Sequence, residues 1–179
     1  MENGKQVVLD AQSIDRSISR IAYEMLEDNK GTDDLIIIAI RTGGILLARR
    51  IKEKIGRIEG VDVPFGILDI TLYRDDVTMT DKKPQMGETD ITFSLDNKKV
   101  VLVDDVIFTG RTIRAAMDAL MDFGRPQLIR LAVLVDRGHR ELPIRPDYVG
   151  EKLPSALWED VSVNLSESGG SDEVLILQG

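Results

Sequence analysis

Asp104 and Asp105 stand at the end of the unbroken apolar run Val100-Val101-Leu102-Val103, and Val106-Ile107-Phe108 leads from them into Thr109-Gly110-Arg111-Thr112. Neighbouring carboxylates repel each other and lose hydration in such a place, so stability alone does not account for them. The turn that follows offers backbone N–H groups, two hydroxyls and a glycine that admits a close ligand, all at the start of a helical pattern. That combination suits an anion. Carboxylates for sugar hydroxyls or metal-bound water, set beside a phosphate cradle, describe a receptor for a sugar phosphate. A lone Thr-Gly-x-Thr is also an ordinary strand-to-helix turn; the apolar run and the acid pair in front of it favour the ligand site.

The elements that must hold these groups follow from periodicity. Four apolar residues without alternation suit a strand covered on both faces. Leu35-Ile36-Ile37-Ile38-Ala39-Ile40 and Ile129 to Val135 read the same way. Ile14, Ile18, Ile21, Met25 and Leu26 form one stripe of a helix over Ser13–Asn29. A second helix is expected from about Ile45 to Ile55, and a third from about Thr112 to Phe123, closed by Gly124 and Pro126. Val63 to Tyr73 reads as a strand or strand pair with Pro64 at an edge or a start. The polar stretch Arg74–Asp90, with Pro84 and Gly87, reads as a long loop or hairpin arm. Repeated strand-loop-helix order predicts an α/β fold around a mainly parallel sheet flanked by helices. Ligands in such sheets sit at the carboxyl ends of the strands, where the loops after Ile40 and after Val103 fall.

Bulk properties narrow the classes. At 179 residues the chain reads as a single domain, 1–179, with enough length for a core. No apolar run approaches the ~20 residues of a membrane span, and no signal-peptide pattern opens the chain. The absence of cysteine excludes disulfides and thiolate metal sites and points to a cytoplasmic enzyme. A formal charge of −8 argues against broad nucleic-acid binding, so any RNA contact needs a local basic face.

The segment Val100–Thr112 resembles the phosphoribosyl diphosphate (PRPP) motif of type I phosphoribosyltransferases. Leu68-Asp69-Ile70-Thr71-Leu72-Tyr73-Arg74-Asp75-Asp76, Ile113 to Leu120 and Leu134-Val135-Asp136-Arg137-Gly138-His139-Arg140-Glu141-Leu142-Pro143-Ile144-Arg145 extend the likeness. Together they resemble the PyrR-type pyrimidine operon regulators, which double as uracil phosphoribosyltransferases, from about Val7 to Val163.

The resemblance implies a type I phosphoribosyltransferase fold with a flexible lid loop at about 74–90 and a small hood from about 136–165 and the N-terminal segment. It implies transfer of phosphoribose from PRPP to uracil, giving UMP and diphosphate. Thr109, Gly110, Arg111 and Thr112 would hold the 5′-phosphate, and Asp104 and Asp105 the ribose hydroxyls. Arg41, Thr42, Gly43 and Gly44 match the diphosphate loop in position, although relatives commonly carry a basic residue where Gly43 stands; taken alone they are also a glycine turn. Arg74 would reach the diphosphate from the lid, although Arg-Asp-Asp in a loop is by itself ordinary solvated charge. Asp136, Arg137, Gly138 and His139 match the base-binding segment. His139 is the only histidine, and a lone histidine is more often structural than a general base. Mg2+ would arrive with PRPP rather than in a protein cage.

The same family binds pyrimidine leader mRNA when UMP or UTP is bound, and forms homodimers or higher homo-oligomers. Arg16 and Arg20 share one face of the first helix, and Arg49 and Arg50 belong to a basic second helix; either set is a candidate RNA surface or a solvated helix face. Gly150-Glu151-Lys152-Leu153-Pro154-Ser155-Ala156-Leu157-Trp158 departs from the basic, polar stretch of relatives, and Trp158 suits base stacking or packing on a second subunit. The alternatives are a transferase that has lost RNA binding, or a purine-salvage transferase sharing the PRPP motif.

Overall fold

Residues 4–75 and 87–179 are described by the computed structural model. Among them the strands and helices run β1 (Lys5–Leu9), α1 (Ala11–Asn29), β2 (Leu35–Ile40), α2 (Gly44–Glu59), β3 (Phe65–Leu68), β4 (Lys99–Ile107), α3 (Arg111–Leu120), β5 (Leu128–Asp136), β6 (Tyr148–Lys152), β7 (Glu159–Asn164) and β8 (Glu173–Gln178). Five strands make a parallel sheet in the order β3-β2-β4-β5-β6. The three unbroken apolar runs are its centre. Their lack of alternation has a direct cause, because helices cover both faces. Ile37, Ala39, Val101, Val103 and Leu134 pack with Ile14, Ile18, Ile21, Leu47 and Ile51 of α1 and α2. Ile36, Ile38, Ile40, Val100, Leu102 and Val133 pack with Ile113, Ala116 and Ala119 of α3.

Local signals set the helix ends. Asp10 accepts the Ser13 N–H at 2.8 Å and starts α1 at Ala11, ahead of the expected Ser13. Gly60, at φ 67°, closes α2 at Glu59, one turn beyond the expected Ile55. The expected helix to Phe123 is α3 followed by the 3-10 turn Met121–Phe123. The region Val63–Tyr73 holds one short edge strand, β3, and a 3-10 turn at Thr71–Tyr73.

Two elements differ from the sequence reading. β4 does not stop at the acids; pairing of Asp104 with Val133 and of Ile107 with Asp136 carries it two residues past the acid pair, to Ile107. The segment after Asn164, with Glu167, Asp172 and Glu173, also contains a strand, β8, not anticipated from the sequence. β8 pairs antiparallel with both β1 and β7, forming a second sheet in the order β1-β8-β7. The predicted hood range, about 136–165 with the N-terminal segment, contains β7 and β1 but not β8. Residues 76–86 of the expected lid lie outside the described residues.

Candidate active site

β2 and β4 lie side by side in parallel, Ala39 opposite Val103. Their carboxyl ends therefore deliver the loop Arg41–Gly43 and the turn Phe108–Gly110 to the same edge of the sheet. Between them lies a cavity of about 500 Å3 whose lining includes Arg41, Thr42, Asp69, Arg74, Asp104 and Thr112. One cavity thus joins residues of the loop Arg41–Gly44, the acid pair, the Thr109–Thr112 turn and Arg74, the segments expected to bind diphosphate, ribose and phosphate. These segments are far apart in sequence.

Successive strand residues point to opposite faces. Asp104 is 7% exposed, and its Oδ1 accepts the Asp105 N–H at 2.9 Å. Burial pushes its carboxyl well above the usual range, and the neighbouring charge of Asp105 adds to the effect. Asp105 turns toward the diphosphate loop: a side-chain carbon on Gly43 would stand 2.5 Å from its carboxylate oxygens. A similar carbon on Gly44 would stand 2.1 Å from the Val103 carbonyl oxygen. Glycine at both positions lets the loop press directly on β4.

The phosphate turn is closed by Gly110 at φ 93°, immediately before α3. Thr112 stands in the first turn of the helix, where backbone N–H groups have no carbonyl one turn behind them, and it lines the cavity. The Arg111 guanidinium is otherwise engaged. Its Nε donates to Glu141 at 2.8 Å and its Nη1 to Asp75 at 2.7 Å. In the turn, Arg111 therefore offers its backbone rather than its charge.

The segment expected to bind the base helps line a second cavity, of about 340 Å3, whose lining is Asp136, Arg137, Gly138, His139, Lys152, Pro154 and Ser155. Arg140 grips both oxygens of Asp136 at 2.8 Å and donates to the Phe108 carbonyl at 2.6 Å. Arg137 is 6% exposed. Its guanidinium donates to Ser155 Oγ at 2.9 Å and to the carbonyls of Ala156 and Glu159 at 3.0 and 2.6 Å. It also covers the Phe108 ring at 4.1 Å, a cation–π contact. Its side chain is therefore a brace for the cavity wall. The His139 Nε2 lies against the Ser155 carbonyl oxygen, which can only accept, so that nitrogen carries a hydrogen and is no base. Phe108 lies edge-on to His139 at 5.7 Å; its only mark in the sequence is an aromatic side chain between the acid pair and the Thr-Gly-Arg-Thr turn.

The four arginines singled out for RNA divide in two. Arg16 and Arg49 are exposed. Arg20 donates to the carbonyls of Val149 and Gly150, tying α1 to β6. Arg50 is bound by Glu167 at 2.5 Å and Asp172 at 2.6 Å. Those contacts pull Asp172 down to about 2, chiefly through the Arg50 hydrogen bond. Along α2, Lys52 pairs with Asp62, Lys54 with Asp15, and Arg57 with Glu53. Acidic partners thus break up the basic helix read from the sequence. Leu157 and Trp158 are 68% and 74% exposed.

Known proteins agree with this architecture. Residues 6–166 match the phosphoribosyl transferase domain family. The bifunctional protein PyrR of Pelotomaculum thermopropionicum is 56% identical over 178 residues, covering 99% of this chain and 98% of its own. That of Halalkalibacterium halodurans is 54% identical, covering 97% of each. A Trypanosoma cruzi hypoxanthine phosphoribosyltransferase has the same fold, with a TM-score of 0.73 at 18% identity over 97% of this chain and 96% of its own. The chain belongs to the phosphoribosyltransferase family and, within it, to the bifunctional PyrR proteins.

Proposed function

We propose that this protein transfers phosphoribose from PRPP to uracil, forming UMP and diphosphate, and that it also controls pyrimidine biosynthesis genes by uridine-nucleotide-dependent binding of leader mRNA. The observation that carries the transferase reading is the single cavity joining Arg41, Thr42, Arg74, Asp104 and Thr112. A uracil nitrogen attacks C1 of the ribose, the C1–O bond to diphosphate breaks, and the uracil proton passes to solvent. Positive character develops on the ribose ring and negative charge on the leaving group.

The chain's residues suit those changes. Thr109, Gly110, Arg111 and Thr112 anchor the 5′-phosphate by backbone N–H groups and hydroxyls. Asp104 and Asp105 take the ribose hydroxyls, and the negative charge the pair carries, centred on Asp105, favours cationic character at the ring. Arg41, Thr42, Gly43 and Gly44, with Arg74 at the rim, receive the diphosphate. The backbone of Asp136–His139 reads the uracil carbonyls and N–H groups, while the Arg137 side chain keeps the cavity wall in place. The cavity's carboxylates are hard oxygen donors that suit hydrated Mg2+, which fits a role for the ion in neutralising the diphosphate it enters with.

For regulation, UMP or UTP in the same site would bias RNA binding, with Arg16 and Arg49 contacting phosphates while Arg20 and Arg50 hold the fold. A homodimer or higher homo-oligomer would cover Leu157 and Trp158. Among the described residues no helix is long and apolar enough to cross a membrane.

The test is UMP formation from uracil, PRPP and Mg2+, with guanine as the competing base. Asp105→Asn is expected to lose most activity while its melting curve stays near that of the parent. Failure to form UMP removes the enzyme reading, and preference for guanine moves it to purine salvage. A gel shift on the organism's own pyrimidine leader, with and without UMP, tests regulation; no UMP-dependent, salt-sensitive shift leaves a transferase alone.

A further inference from the structure

Two charged groups on the wall of the diphosphate cavity face each other across a gap. Asp69 follows β3, and its Oδ1 accepts the Thr71 N–H at 2.8 Å and the Thr71 hydroxyl at 2.6 Å. Its own amide donates to Thr89 Oγ1 at 3.0 Å. These bonds fix the carboxylate and direct the second oxygen elsewhere. Among the described residues, Asp69 Oδ2 and Arg41 Nε are both buried without a hydrogen-bond partner. They are close neighbours: a side-chain carbon on Gly87 would lie 2.7 Å from the former and 2.8 Å from the latter. Glycine at 87 keeps the space between them open. Burial disfavours the Asp69 charge, yet the Thr71 bonds, the Gly87 backbone N–H and, least of these, the Arg41 charge outweigh it and hold the carboxyl below its usual value.

Arg41 is the one cation in the loop Arg41–Gly44, and its Nη2 donates to the Glu88 carbonyl at 3.1 Å. A long side chain that orders only when its ligand arrives loses affinity to lost rotamer freedom, and arginine is among the side chains that lose most. A fixed, ionised carboxylate beside the guanidinium removes part of that loss in advance.

We propose that Asp69 is a positioning residue for the leaving group: its carboxylate, fixed by Thr71 and separated from Arg41 only by Gly87, holds the Arg41 guanidinium ready on the wall where diphosphate binds. This rests on the reading of Arg41 as a diphosphate ligand. A carboxylate near a diphosphate also repels it, so positioning and simple charge act with opposite signs, and a double-mutant cycle separates them.

The experiment is calorimetric titration of the full chain with inorganic pyrophosphate and Mg2+, alongside KM for PRPP and for uracil. The variants are Asp69→Asn, Arg41→Ala, the two combined, and Gly87→Ala. Asparagine retains the acceptor that Thr71 uses, and a thermal melt checks folding. With Arg41 present, Asp69→Asn and Gly87→Ala are expected to weaken pyrophosphate binding and raise KM for PRPP about tenfold, with kcat and KM for uracil within about twofold. With Arg41 replaced by alanine, Asp69→Asn is expected to leave pyrophosphate binding unchanged or tighter. An Asp69→Asn protein that binds pyrophosphate like the parent overturns the proposal, as does equal weakening in the Arg41→Ala background. If Arg41→Ala alone leaves pyrophosphate binding unchanged, the underlying assignment of Arg41 fails, and the positioning role with it.

Discussion

Replacing Arg50 by alanine distinguishes a residue that holds the fold from one that holds RNA. Arg50 bridges α2 to the β7–β8 connection, and its side chain is 19% exposed against 16% for Asp172 and 43% for Glu167. Asp172 is drawn down from 3.8 to about 2. At 1.36 kcal/mol per pH unit that corresponds to roughly 2 kcal/mol of stability near neutrality. The more exposed Glu167 adds little after solvent screening. The expected loss on Arg50→Ala is about 2–3 kcal/mol, or a melting temperature lower by roughly 5–10 °C for a chain of this size.

The pH dependence has a definite sign. Asp172 is depressed in the folded protein, so between about 2 and 3.8 the unfolded chain binds more protons and stability rises with pH. The difference between parent and variant is expected to be full above about pH 5 and to shrink to roughly half by pH 3. Urea unfolding at pH 6 and pH 3 measures it. A difference below about 0.5 kcal/mol at pH 6, or one that stays constant as the acid is protonated, refutes the reasoning. If RNA binds, the salt slope of Arg50→Ala is expected to match the parent, while Arg49→Ala lowers it by about one phosphate contact.

Two other outcomes follow from the site. Asp104 is raised in the folded protein, so in the ligand-free state stability should fall as pH climbs above 3.8, where the unfolded chain gives up its proton first. Asp104→Asn should flatten that decline in urea unfolding from pH 4 to 7, and a variant whose advantage over the parent does not grow with pH contradicts the burial argument. Arg137→Ala leaves the Ala156 and Glu159 carbonyls and Ser155 Oγ without their donor. It should cost about 2–4 kcal/mol in denaturant unfolding and raise KM for uracil about tenfold, with pyrophosphate binding in calorimetry nearly unchanged; equal damage to both ligands would mean that Arg137 does not act locally.

The sheet centre was legible because Leu35–Ile40, Val100–Val103 and Ile129–Val135 need two covered faces, whatever covers them. The length of β4 was not, because Asp104 extends the strand only through its partner Val133. β8 escaped notice for a related reason: its apolar centre is flanked by acids and glycines, and it becomes a strand between two others. The local parts of the site, the acid pair and the Thr-Gly-Arg-Thr turn, were written in consecutive residues. The roles of Arg20 and Arg50 depend on partners 130 and 117 residues away, a separation that no helical spacing reveals. The bracing contacts of Arg137 were hidden for the same reason, since Ser155, Ala156 and Glu159 lie 18 to 22 residues further along the chain.

The Arg137 brace constrains any attempt to change which base the protein accepts. One guanidinium rests on the Phe108 ring from the PRPP segment and on the carbonyls of Ala156 and Glu159 from the loop opposite. Arg137, itself part of the smaller cavity's lining, therefore ties that lining to Phe108 on one side and to Ala156 and Glu159 on the other. Libraries that randomise Arg137 would mostly sample collapsed walls, whereas variation at Lys152, Pro154 and Ser155, with Arg137 retained, would reshape the rim on an intact frame. In directed evolution, Arg137 is the position to hold constant while its neighbours are explored.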